Sequence, residues 1–142
     1  MADISITSSD VLASSQASYF DGIAAAAITA GQVVYKTAAN TYNLSNATGS
    51  SPVNSTAGIA ANNAAAGQPI RIVASDPAFV FGGAATAGEV LYMSPNNAGG
   101  ITGTYGDLSS GNTVIVLGLC VTGGAAGTAA IALAPSLPAT HG

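Results

Sequence analysis

A seven-residue phrase occurs twice in this chain, and its two copies begin 57 positions apart, at Thr29–Tyr35 and at Thr86–Tyr92. A second pair of similar phrases follows, beginning at Gly58 and at Gly118, so this pair is offset by 60 positions. Because both pairs keep the same order, one unit of roughly sixty residues has been used twice. This repeat constrains the fold more than any single residue does, since it predicts two similar structural units.

Within each unit, short runs of alternating or β-branched residues are separated by turn residues, a pattern that is typical of β-strands. The predicted strands are 32–37, one beginning at Tyr42, 57–61 and 69–74 in the first unit, and 89–93, 101–105, 113–121 and 128–134 in the second. We therefore expect an all-β fold, a small barrel or sandwich built from two similar β units. Two copies favour a barrel, because an extended solenoid needs three or more repeats to be stable.

The repeat also sets the expected domain organisation. A single β domain is predicted over residues 28–135, with repeat units at about 28–75 and 85–134. Residues 76–83 link the units and are expected to add aromatic side chains to the core. Residues 136–142 form a tail that is expected to fray, as chain ends commonly do.

Residues 1–27 precede the first repeated phrase and are predicted to form an extended N-terminal arm with a short strand. An apolar arm outside the repeat has few partners of its own, so we hypothesise that it contacts a neighbouring subunit or a larger surface. The residues proposed for this contact are Ile4, Ile6, Tyr19 and Phe20. On this hypothesis, deletion of residues 2–20 leaves the barrel folded; the alternative is an arm that only caps its own barrel.

The composition predicts a thin core and a narrow range of partners. About a third of the 142 residues are Ala or Gly, which bury little apolar area, so we expect a protein that is most stable when assembled. Only 6% of residues are charged, and Lys36 and Arg71 are the only lysine and arginine. A chain with a pI near 4.2 and two such cations cannot build a basic patch, which argues against nucleic acid and anionic membranes as partners.

The residue types that carry most catalysis are scarce. Cys120 is the only cysteine and lies in an apolar run, so a buried, inert thiol is expected. His141, the only histidine, is one residue from the end, where a rigid metal site or catalytic triad is difficult to build. The carboxylates are separated in sequence and are expected to be solvated: Asp3, Asp10, Asp21, Asp76, Glu89 and Asp107. The sequence therefore predicts no catalytic, cofactor or metal site, and a protein that is not an enzyme.

Thr113–Pro135 contains no charged residue and resembles a membrane span by hydropathy. Its counterpart in the first unit, Ala57–Val73, carries two Asn, a Gln, a Pro and an Arg, and two copies of one unit should share one environment. We therefore expect strands here and no contact with a membrane. The first residues show no basic segment followed by an apolar one, so synthesis and folding in a cytoplasm are expected.

Three phrases of the first unit, Ile28–Tyr35, Gly58–Ala60 and Ala65–Ile70, occur in the order seen in a known family. Over roughly residues 20–75 the chain resembles the small cement, or decoration, proteins of tailed-bacteriophage capsids, also called head-stabilising proteins. The resemblance implies a β-rich subunit, often trimeric, that binds the outer capsid surface and staples neighbouring major capsid subunits together. It implies no catalytic residues and no cofactor.

Two other classes of protein share this composition. A phage tail, fibre or adhesin module is the nearest alternative, and copy number in the virion separates it from a shell-wide coat. An ice-binding protein is a second alternative, although it needs a flat Thr array and only Thr102–Thr104 has the T-x-T spacing.

Overall fold

The computed structural model describes residues 3–141, and it confirms the all-β prediction. Met1, Ala2 and Gly142, which the sequence analysis assigned to the arm and the tail, lie outside the described residues. Two single 3₁₀ turns, Ser8–Asp10 and Tyr105–Asp107, are the only helical segments in that range. The strands are Val11–Leu12 (β1), Ser18–Ala24 (β2), Val33–Ala38 (β3), Thr41–Leu44 (β4), Gly58–Ala60 (β5), Pro69–Phe81 (β6), Val90–Met93 (β7), Ile101–Thr102 (β8), Thr113–Val114 (β9), Val116–Thr122 (β10), Ala130–Leu133 (β11) and Ala139–Thr140 (β12).

The first unit is a closed ring of five strands in the order β2-β4-β3-β5-β6, to which β6 contributes residues 69–75. β2 closes the ring, because it pairs antiparallel with β6 and parallel with β4. Closure leaves no free sheet edge along the paired strands. The side chains buried inside this ring are Ala24, Ile28, Val34, Tyr42, Ala60, Ala64, Ile70 and Ile72.

The second unit repeats this strand order as β8-β7-β10-β11-β6, to which β6 contributes residues 76–81. Isolated bridges mark equivalent points of the two units, Ile28 with Ala64 and Ala85 with Gly124, at the offsets of 57 and 60. The two similar β units predicted from the repeat are therefore present. Strand β6 runs through both, and the second core includes Phe79 and Phe81, the aromatic side chains expected between the units.

The repeat begins earlier than the sequence indicates. Residues 19–24 of β2 stand in the first unit where residues 76–81 of β6 stand in the second, again at an offset of 57. The sequence does not show this equivalence, because the first unit has Gly22 and Ala24 at the positions that Phe79 and Phe81 occupy in the second. Residues 18–24 are therefore a barrel strand and not part of an arm, which corrects the boundary at residue 27.

The first residues of the chain complete the second unit. The Ile4 N–H donates to the Ile101 carbonyl at 2.8 Å and the Thr7 N–H to the Gly82 carbonyl at 2.8 Å, so this segment connects β8 to the end of β6. Asp3 fixes its start by accepting hydrogen bonds from the side chains of Ser94, Asn96 and Asn97. Ile4 and Ile6 are half-buried against the second core.

The C-terminal tail is also tied to the domain, in contrast to the frayed tail expected. Strand β12 pairs with β9, and the His141 N–H donates to the Asn112 carbonyl at 2.7 Å. The uncharged run Thr113–Pro135 forms β9, β10 and β11. Across residues 3–141, no helix has the length and apolarity needed to cross a membrane.

Candidate interaction surfaces

The described part of the chain holds no group of three or more His, Cys, Asp or Glu side chains placed to bind a metal ion. The His141 ring stacks on Tyr105, with ring centroids 5.0 Å apart. Cys120 is buried in the second core, as expected, and burial raises the pKa of its thiol. A higher pKa keeps the sulfur in its less nucleophilic thiol form.

Asp76 is the exception to the expectation that the carboxylates are solvated. Only 1% of its surface is exposed, at the midpoint of β6 where the two units join. Its carboxylate accepts hydrogen bonds from the Ser14 N–H at 2.7 Å, the Ser14 hydroxyl and the Ala78 N–H at 3.0 Å. These bonds satisfy a buried carboxyl group and fix the segment between β1 and β2, which makes the role of Asp76 structural.

We expect Asp76→Asn to lower the free energy of unfolding by about 1–3 kcal/mol, because an amide cannot accept all three hydrogen bonds and leaves a buried donor unsatisfied. Urea denaturation of the full chain measures the change. Asp21→Asn is the matched control: that carboxylate is exposed, so its variant should lose less stability. Equal losses in the two variants would argue against the structural role of Asp76.

Gln32 and Glu89 occupy equivalent positions in the two units, and each side chain accepts a backbone hydrogen bond. The Gln32 side-chain oxygen accepts from the Thr29 N–H at 2.9 Å, and the Glu89 carboxylate accepts from the Thr86 N–H at 3.0 Å. Each side chain therefore caps the turn that precedes the next strand, β3 in the first unit and β7 in the second. Either side chain performs this role because each carries a suitably placed acceptor oxygen.

The structure separates the four residues proposed for an interface. Ile4 and Ile6 face inward, against a backbone that three glycines keep bare. A Cβ at Gly83 would lie 2.6 Å from Ile4, and one at Gly31 would lie 2.3 Å from Ile6. These two isoleucines are partly buried against the second core, and their contact with a neighbour stays a prediction.

Tyr19 and Phe20 are exposed, by 40% and 48% of their surface, and both lie on β2. The β2–β6 ladder holds their backbone, with Tyr19 opposite Val73 and Phe20 opposite Ile72. Ile23 is also exposed on this strand. Of the four residues proposed for an interface, Tyr19 and Phe20 expose the larger apolar surface.

A salt bridge adjoins the aromatic pair. The Asp21 carboxylate accepts from Arg71 Nε at 2.8 Å and Nη2 at 3.2 Å, and the hydrogen bond from Arg71 lowers the pKa of that carboxyl. The Arg71 guanidinium also lies 4.8 Å from the centre of the Tyr19 ring, a cation–π distance. Arg71 thereby orients Tyr19. A shallow depression with a volume of about 250 Å³ adjoins this salt bridge. It is lined by Asp21, Gly22, Asn62, Pro69, Ile70 and Arg71.

A second exposed apolar surface lies on β10 and was missed from the sequence. Leu119 and Val121 are 46% and 47% exposed, on the opposite face of the strand from buried Cys120. The strand period of two places them on one face, but every neighbour in this run is apolar or Gly, so the sequence shows no contrast between the faces. Leu12 and Leu137 are exposed elsewhere, on β1 and in the tail.

Neither a scan against protein-family models nor a search of curated proteins gives a significant match. A function must therefore be inferred from the surfaces of this chain together with the resemblance of its repeated phrases.

Proposed function

We propose that this chain is a structural virion protein that binds the outer surface of a phage capsid and stabilises contacts between major capsid subunits. The observation that carries the proposal is the exposed aromatic pair, Tyr19 and Phe20, on a strand of a closed barrel. Aromatic side chains dominate the energetics of protein interfaces, and rigid ones lose little entropy on binding. The partner is the major capsid protein, and assembly of the chain with itself, as a homotrimer, accompanies docking.

Charge and core size support a protein partner. Arg71 is paired with Asp21, which leaves Lys36 as the other Lys or Arg and no basic surface for nucleic acid. The first core holds eight buried residues, three of them alanine, so binding to a shell adds a substantial increment to a modest intrinsic stability. These features suit a part that gains stability by docking and has no chemistry to perform.

The ice-binding alternative loses its one sequence feature. Thr102, the first residue of the T-x-T motif, is fully buried, and its hydroxyl donates to Asp107 at 2.6 Å. A flat array of exposed threonines cannot be built on it. A phage tail or fibre module differs from a shell-wide coat protein only in its copy number in the virion.

The double variant Tyr19→Ser/Phe20→Ser tests the proposal. Loss of an aromatic hot spot costs about 2 kcal/mol or more, so we expect the dissociation constant for capsids to rise by about 30-fold or more. Co-sedimentation of the purified chain with capsids stripped of it measures binding. Leu137→Ser is the control, since this exposed leucine lies in the tail and should not affect binding. Thermal unfolding checks that both variants fold; binding by the double variant at the strength of the unmodified chain would refute the proposal.

A further inference from the structure

We infer that the outer face of the second unit binds the first unit of another copy of this chain, head to tail. This second-unit face comprises Val90, Leu119, Val121 and Ala132. The inference concerns self-association in the absence of capsids, and it stands or falls independently of the aromatic pair on β2.

The repeat gives this face a counterpart in the first unit. Strand pairing places Val33, Ile59 and Val73 side by side across β3, β5 and β6. Pairing across β7, β10 and β11 places their equivalents side by side in the same way: Val90, Leu119 and Ala132. A further equivalent pair has the same offset of 60: Ala61, which directly follows β5, and Val121, which lies near the end of β10.

The two faces differ in what covers them. Val33, Ile59 and Val73 are fully buried in one cluster with the core of the second unit, and Ala61 packs against that cluster. In the second unit, Leu119 and Val121 are about half exposed, and all four positions lie outside both core clusters. None of the four carries a charge, so an apolar protein surface is the matching partner. The second unit thus exposes the face that the first unit buries.

The contact that covers the face formed by Val33, Ile59 and Val73 indicates which part of another copy meets the second-unit face. The turn between β7 and β8 reaches the first unit, where the Gly99 N–H donates to the Ser45 carbonyl at 2.7 Å and the Gly99 carbonyl accepts from the Val33 N–H at 2.9 Å. The equivalent turn of the first unit, residues 39–40 between β3 and β4, is shorter than the turn at residues 94–100 and is exposed. The Asn40 carbonyl accepts from the Ile23 N–H at 2.7 Å, and the exposed side chains of this turn can approach the second-unit face of another copy.

The contact between copies therefore continues the contact between units. An interface of this kind joins two different surfaces, so it generates a closed ring when the rotation between copies closes and a filament when it does not. The chain thereby supplies both halves of the interface, and no other protein is needed.

Sedimentation velocity of the full chain, from low to high micromolar concentration, tests this inference. We expect the unmodified chain to self-associate and Leu119→Asp to raise the dissociation constant by at least about 30-fold, as for a central apolar contact. Val121→Ser provides a milder variant should Leu119→Asp fold poorly. Leu137→Asp is the matched control and should associate like the unmodified chain.

A mixing experiment tests the head-to-tail geometry. Ala39→Glu alters the exposed turn and should weaken association as Leu119→Asp does. A mixture of the two variants should form a one-to-one complex, because the intact turn of one copy meets the intact face of the other. The inference is overturned by a monomeric unmodified chain, by an unaffected Leu119→Asp variant, or by a mixture that stays monomeric. Loss of capsid binding in a Leu119→Asp variant of a monomeric chain would assign this face to the shell instead.

Discussion

Replacing Phe79 by alanine should lower the free energy of unfolding by about 3–5 kcal/mol, a large part of the roughly 5–15 kcal/mol that stabilises a typical domain. Phe79 is fully buried on β6, the strand that both units share, and it lies opposite Ile131 of β11. Truncation leaves a cavity that the ladder on either side of β6 prevents from collapsing. Urea denaturation of the full chain, followed by circular dichroism, measures the loss.

Phe20→Ala is the matched control for this prediction. It removes the same side chain from a strand position that is about half exposed, so a loss of about 1 kcal/mol is expected. If the two variants were equally stable, Phe79 would not be a central core residue, and the position of β6 between the two units would be in doubt.

Gly58→Ala and Gly118→Ala should each cost about 2–5 kcal/mol, because the added methyl group meets backbone atoms that cannot move alone. A Cβ at Gly58 would lie 2.1 Å from the Val73 carbonyl oxygen, and one at Gly118 would lie 2.2 Å from the Ala132 carbonyl oxygen. In both units the strand pair would have to separate. Similar losses of the two variants, measured by urea denaturation, would show that the two close approaches are equivalent.

Gly67→Ala provides the control for conformational strain. Gly67 has a φ of 84°, but a Cβ there would meet no atom within 4 Å, so only the cost of the left-handed conformation remains, about 1 kcal/mol. If Gly58→Ala were tolerated as well as Gly67→Ala, the strands of the first unit would not approach as closely as we describe.

Much of the fold could be predicted from the repeat and from local patterns. Strands β5 and β7 match their predicted ranges to within one residue at each end, because alternating apolar residues and flanking turn residues define them. Strand β6 continues seven residues past the predicted end at Ala74, since tertiary pairing with β11 extends it. Strand β8 ends early at Thr102, where the Tyr105–Asp107 turn follows.

The direction of side chains was harder to predict than the position of strands. Ile4 and Tyr19 are both apolar residues near the N-terminus, yet Ile4 packs inward and Tyr19 faces solvent. The space for Ile4 is created by Gly83, which is distant in sequence and has no side chain to mark the contact. Long-range packing of this kind leaves no periodic signal, so the sequence could not separate the partly buried isoleucines from the exposed aromatic pair.

The proposed functions use different parts of one rigid scaffold. The aromatic pair lies on β2 of the first unit, and the second-unit face lies around β10. A chain that binds a shell through β2 and other copies through its second-unit face and its β3–β4 turn can connect several capsid subunits at once. Such multivalent attachment strengthens binding without any single strong contact.

Electron microscopy of virions that carry this chain tests the central proposal most directly. We predict density for a two-barrel subunit repeated over the whole outer face of the capsid, with β2 directed toward the shell. Density that is confined to the tail, or that is absent from the outer capsid surface, would contradict the proposal.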